Sequence, residues 1–211
     1  MNLAPNGKPS NLTPEQYRLV RTPEFISWFG DWINSPETAS KVVDENGEPL
    51  AVYHSGEIKN IFFEEEKYKN HVLYFSKGDF WGDTRKENLL VAFLRITNPY
   101  KFEFDGIYRN NKGEKMYYDE NDKPTTIPDL DTSGDVLNII SLPYIDIVSD
   151  DLRKRGFDGS FYDDFEEIII LYPNQIKLAD GSNTTFDGNN PDIRYADGGS
   201  INDFTYSIGG L

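Results

Sequence analysis

Hydrophobic spacing changes its period once along this chain, near residue 41, and that change limits the folds open to it. Before it, Phe25, Trp28, Phe29 and Trp32 recur at i, i+3, i+4 and i+7, the spacing of one helix face. Two start signals frame this part. Thr13-Pro14-Glu15-Gln16 offers a capping threonine, a proline suited to the first helical position and a glutamine that closes a capping box. Thr22-Pro23-Glu24 repeats the signal. After residue 41 come short runs of β-branched and aromatic residues, bounded by Gly, Pro, Asn and Asp. Lys41–Asp44 and Pro49–His54 flank Glu45-Asn46-Gly47, a hairpin signal. Val72–Ser76 reads as a third strand, and Leu89–Thr97 as a strand buried on both faces. Tyr100–Phe104, Phe157–Tyr162, Glu167–Tyr172 and Gln175–Ala179 read as further strands. Ile145, Val148 and Leu152 have helical spacing, ended by Arg153-Lys154-Arg155 and Gly156. Helices first and strands after predict an α+β fold.

Residues 1–12 read as an unstructured lead-in, 13–190 as one domain and 191–211 as a tail or linker. Residues 105–135, polar throughout, read as a long insertion with a hairpin around Asn110-Asn111-Lys112-Gly113. No internal repeat is evident.

Composition removes several function classes. There is no cysteine, hence no disulfide, no thiolate metal site and no cysteine nucleophile. Two histidines, His54 and His71, leave little for a histidine metal site, and no metal is expected. The net charge of −15 repels polyphosphates, so a protein partner is favoured over nucleic acid. No apolar run approaches a membrane span, and the polar N-terminus has no secretory core. A soluble, cytoplasmic protein is the expectation. Aromatics at 14% supply a real core, which sets the chain apart from disordered acidic proteins.

Three positions could carry chemistry. His54 ends a strand in Val52-Tyr53-His54-Ser55-Gly56, Tyr74 lies within Leu73-Tyr74-Phe75-Ser76, and Glu167 opens the most apolar strand. Singly, each has a plainer reading: a hydrogen-bonded structural histidine, a core tyrosine, a solvated carboxylate. Together, in this order, they resemble the ADP-ribosyltransferase fold in its His–Tyr–Glu branch. More narrowly, the chain is similar to the ADP-ribosyltransferase domains of phage and mobile-element polyvalent proteins. Arg21-Thr22-Pro23-Glu24-Phe25 with Trp28-Phe29-Gly30-Asp31-Trp32 resembles the opening helix of that group. Lys41–Asp44 with Asn46–Leu50 and Val52–His54 resembles its first hairpin, and Tyr74-Phe75-Ser76 its second motif. Gly156–Gly159 and Glu167 through Lys177 resemble its third, and Phe186-Asp187 with Asn190–Ile193 its ending.

The resemblance implies a split β-sandwich of two small, mainly antiparallel sheets with N-terminal helices, and NAD as co-substrate in the cleft between them. It implies that His54 bonds the adenosine ribose and that backbone groups at Ser55 and Gly56 hold the nicotinamide amide. Tyr74 stacks on the nicotinamide ring, with Ser76 beside it in the same binding motif. Glu167 is the implied catalytic residue. Cleaving the nicotinamide–ribose bond develops oxocarbenium character, which a nearby carboxylate stabilises. Glu167 lies six residues before Pro173; a bulged strand would instead favour Glu166. Ser55 stands where the family often has glycine, and Phe165 occupies the position two before Glu167, where other branches carry an acidic residue or glutamine. The implied function is mono-ADP-ribosylation of a macromolecule, a protein in preference to nucleic acid. The setting it suggests is a phage or mobile-element effector acting on a bacterial host target in the host cytoplasm, delivered with the phage particle in one version. A non-catalytic phage structural or packaged module of the same fold, or an NAD glycohydrolase, are the alternatives.

Overall fold

Thr13 starts the first helix with both halves of a capping box. Its Oγ1 accepts from the Gln16 amide at 3.2 Å, and Gln16 Oε1 accepts from the Thr13 amide at 3.1 Å. Helix α1 spans Pro14–Leu19 and α2 spans Pro23–Phe29, the latter capped by Thr22. The structure, a computed structural model, describes residues 2–55, 73–78, 89–101, 111–113, 116–118, 124–126, 149, 152–162, 165 and 167–189. Gly30 ends α2 at φ +98°, and a Cβ there would lie 2.5 Å from the Ala39 Cα. The helix therefore stops before Trp32. That ring is still buried, with Nε1 donating to the Val20 carbonyl at 3.0 Å.

The described strands are β1 (Val52–Ser55), β2 (Leu73–Phe75), β3 (Leu89–Leu94), β4 (Pro99–Lys101), β5 (Met116–Tyr118), β6 (Pro124–Thr126), β7 (Gly159–Tyr162), β8 (Glu167–Ile170) and β9 (Ile176–Leu178). They form a three-stranded sheet, β1-β3-β9, and a four-stranded sheet, β2-β8-β7-β4. Every pair in them is antiparallel except β4–β7. The fold is α+β with two mainly antiparallel sheets, as the sequence implies. The strands are shorter than the sequence runs. Lys41–Asp44 and Pro49–His54 meet only at a Val43–Pro49 bridge, because the Asp44 carboxylate accepts from the amides of Asn46 and Glu48 and folds the segment into a compact turn. In the insertion, residues 111–113 form a turn, and the hairpin that is seen pairs β5 with β6 beyond it.

Strand β3 shows why the molecule has three layers. Leu90, Ala92 and Leu94 face the four-stranded sheet and share one core with its Phe75, Phe161, Ile168 and Ile170 and with Val52 and Ile176 of their own sheet. Phe93, and Val91 in part, face the helices. There Phe25 stacks on Phe29 at 5.0 Å and meets Phe93 and Phe186 edge-on. The strand is buried on both faces, as its composition predicts.

Residues 2–10 differ from the expected lead-in. Leu3 bridges Pro9 just as Val43 bridges Pro49, forty residues later. The Ala4 amide bonds the Lys8 carbonyl and the Asp44 amide the Glu48 carbonyl, both at 2.8 Å. Gly7 and Gly47 take φ +81° and +78°. Asn6 Nδ2 donates to Asn46 Oδ1 at 2.9 Å, so two copies of one Asn-Gly turn dock on each other. The repeat is too short to stand out as a period in the sequence. The expected helix ending at Gly156 is seen at its C-terminal end: Phe157 N bonds the Leu152 carbonyl, Gly156 N the Arg153 carbonyl, and Gly156 has φ +83°.

Polar side chains join the sheets at one end. Gln175 is buried. Its Nε2 donates to the carbonyls of Arg95 (2.8 Å) and Asp158 (2.6 Å), and its Oε1 accepts from the amides of Leu171 (3.1 Å) and Tyr172 (2.7 Å). Asp158 in turn accepts from Thr97 N, Thr97 Oγ1 and Asn98 N at 2.7–2.8 Å. Gln175→Ala strands buried backbone donors and acceptors from both sheets, so it is expected to lower unfolding free energy by about 2–4 kcal/mol. Urea denaturation read by tryptophan fluorescence checks this.

Candidate active site

The two sheets separate where β1 leaves β2. Tyr53 and Ser76 exchange both backbone hydrogen bonds, each at 2.9 Å. In an antiparallel ladder the next such exchange would fall between Ser55 and Tyr74. There Tyr74 O is met by the His54 ring, whose Nδ1 lies 2.7 Å away. A carbonyl only accepts, so this contact assigns the proton to Nδ1. In the neutral ring, Nε2 is then left as an acceptor. The His54 ring also lies against Phe75, at 5.4 Å between centroids and 45° between planes. The imidazole is fixed from two sides.

Strand parity places the neighbouring groups. Because Tyr53 turns its backbone groups to β2, Ser55 turns its own the same way, into the split. Ser55 pairs with Leu89 on the other side of β1. Gly56 lies outside the described residues. Ser76 Oγ donates to the Gly78 carbonyl at 2.7 Å, which turns the chain at the end of β2.

Glu167 begins β8, opposite Tyr162 of β7. On β8, Ile168 and Ile170 point into the core between the sheets, so Glu167 and Ile169 point to the other face. Tyr74 is the ladder partner of Ile169, and its neighbour Phe75 is in the core. Tyr74 and Glu167 thus share a face on adjacent strands, one diagonal step apart. The structure brings His54 to the Tyr74 backbone and Glu167 to the Tyr74 face. Burial pushes the Glu167 carboxyl above the ordinary glutamate value, since partial removal from water disfavours its charged form. Glu166 lies outside the described residues. Among the described residues, no group of three or more histidines and carboxylates could hold a metal ion. Among them, too, no helix is long and apolar enough to cross a membrane.

Sequence reasoning did not identify two contributors to this geometry. Phe75 supports the His54 ring; its place in the motif between Tyr74 and Ser76 was the available signal. Phe165 takes φ +68° directly before the acidic pair, and nothing in the residue type signals that conformation.

Two small, mainly antiparallel sheets that part where β1 leaves β2, together with N-terminal helices, are the α+β arrangement of an ADP-ribosyltransferase-type domain. The chain belongs to the family of ADP-ribosyltransferases in polyvalent proteins, whose family model matches residues 44–186. Membership makes it a transferase domain of the ADP-ribosyl kind, in a family that uses NAD as substrate. Among curated proteins and solved structures, none gives a significant match.

The raised Glu167 carboxyl has a consequence for stability. A carboxyl whose folded value lies above its unfolded value of about 4.3 favours the native state when protonated. That contribution is complete below the unfolded value and is lost as pH rises through the folded one. Glu167→Gln should therefore melt at a higher temperature than the parent at pH 7, with the gap closing below about pH 4. Thermal melts of the two proteins across pH check this; equal melting temperatures at pH 7 would contradict it.

Proposed function

We propose that this chain is a mono-ADP-ribosyltransferase that transfers ADP-ribose from NAD to a protein. We propose further that it serves a phage or mobile element as an effector in the cytoplasm of a bacterial host. The observations that carry the enzymatic reading are the bond of the His54 ring to the Tyr74 carbonyl and the sheet face that Tyr74 shares with Glu167. A histidine with its proton assigned and an acceptor nitrogen left over suits a ribose hydroxyl. An aromatic ring beside the split suits the flat face of nicotinamide. The backbone groups of Ser55, aimed into the split, suit the nicotinamide amide, a role the family resemblance extends to Gly56.

Glu167 then acts on charge. The C1′–N bond of the nicotinamide ribose breaks, and neutral nicotinamide leaves with the electron pair. Positive charge develops on the sugar ring, and a carboxylate fixed nearby stabilises it more strongly where water is thinned out. The acceptor's nucleophilic atom bonds to C1′ and gives up its proton, for which Glu167 is the candidate base. A net charge of −15 favours a protein acceptor, because a polyphosphate would be repelled over most of the surface.

Nicotinamide release from NAD, followed with and without bacterial lysate, tests the reading. Glu167→Gln should keep the fold and cut turnover by about 100- to 1000-fold with little change in NAD affinity. His54→Ala should act mainly on binding and raise KM for NAD by about tenfold, the value of one good hydrogen bond. Lysate-dependent release, with the mass of one ADP-ribose added to a protein, is the expected result. Release without lysate and without modified protein would make water the acceptor. No release from folded protein would leave a non-catalytic module of this fold.

A further inference from the structure

Phe165 stands two residues before Glu167 and takes φ +68°, a left-handed conformation that bulky side chains rarely adopt. Three neighbours hold it there. Its carbonyl accepts from the Lys77 amide at 2.9 Å. Its ring meets Phe161 of β7 edge-on, with centroids 4.7 Å apart and planes at 68°. It also packs against the core between the sheets.

The Lys77 bond is out of step with the ladder beside it. Phe75 is the partner of Ile168 in β2–β8. Ser76 turns both backbone groups to Tyr53, so the next rung toward β8 falls on Lys77. An unbroken ladder would carry the Lys77 amide to the carbonyl of residue 166. It reaches Phe165 instead, in the connection that follows β7, just outside the Tyr162–Glu167 pair that opens β8. The consequence is specific. In an unbroken strand, residues 165 and 167 would share a face. The left-handed turn sends the Phe165 ring into the core beside Phe161 while Glu167 keeps the opposite face, with Tyr74.

We infer that Phe165 is a positioning residue: its ring, anchored on β7, and its carbonyl, bound to the end of β2, fix where β8 begins and hold the Glu167 carboxylate on the Tyr74 face. The catalytic consequence rests on the reading of Glu167 as the charge-stabilising carboxylate; the geometric one does not.

Phe165→Gly and Phe165→Leu in the full chain test this. Glycine accepts the left-handed backbone but removes the ring; leucine keeps apolar bulk. Two readouts are taken on folded protein: steady-state nicotinamide release, and the Glu167 carboxyl titration by 13C NMR. Phe165→Gly should lower kcat by about 10- to 100-fold while KM for NAD stays within about twofold. Its Glu167 midpoint should fall toward that of an ordinary glutamate as the carboxylate moves into water. Phe165→Leu should change both in the same direction by less, and decides the matter if the glycine variant does not fold. Unchanged kcat and midpoint, or a loss confined to KM, would overturn the inference. If the parent protein releases no nicotinamide, the transferase reading fails, and the carboxyl titration alone decides the positioning role.

Discussion

The side-chain amide of Gln175 is the constraint on which the two sheets depend. Their strands are three to six residues long, too short to hold a fixed mutual orientation by ladder bonds alone. Gln175 makes four hydrogen bonds and places them on the end of β3, the start of β7 and the end of β8. It also immediately precedes β9. A single buried amide with both ends satisfied thus joins both sheets at one end. The β3 register fixes which end: Leu94 pairs with Ile176 there, while Leu89 pairs with Ser55 at the other. The sandwich is clamped at the end opposite His54 and Glu167. It can therefore be split at the other end without coming apart.

Strand β2 makes that split chemically useful. It is three residues long, yet its neighbourhood belongs to both sheets. Phe75 bonds toward β8, whereas Tyr74 and Ser76 turn their backbone groups toward β1. Ser76 finds a normal ladder partner in Tyr53. Tyr74 meets the imidazole of His54. His54 thus does two things with one ring. It bonds the Tyr74 carbonyl at the place where the strands diverge, and in doing so it fixes its own proton on Nδ1. The separation of the sheets and the state of the histidine are one event.

What could be read from the sequence follows how local each feature is. The caps at Thr13 and Thr22 and the turn at Gly156 involve atoms within a few residues, and each formed as its residue types imply. The two-faced burial of β3 was legible because an uninterrupted apolar run has few other uses. The order of His54, Tyr74 and Glu167 was legible only as a resemblance; their spacing of 20 and 93 residues carries no periodic signal. Features that depend on distant partners stayed hidden. Asn6 reads as part of an unstructured lead-in until Asn46 is seen beside it. Gln175 reads as the start of a strand, and its role in joining the sheets shows only with Arg95 and Asp158 beside it. Phe165 in a left-handed conformation contradicts its own residue preference, and only Phe161 and Lys77 explain why it stays there.

That contradiction is informative because it sits beside a second one. Glu167 opens a strand whose next three residues are isoleucine, and partial burial there raises the free energy of its charged form. A fold selected for stability alone would place an apolar or neutral residue at that position. A strained phenylalanine and a desolvated carboxylate, two residues apart, are both local costs that the surrounding core must offset. Their common effect is to keep a negative charge out of bulk water and on one face. In that state an ionised carboxylate interacts most strongly with positive charge that appears only during a reaction. The same desolvation that weakens the resting protein therefore strengthens the interaction the chemistry needs.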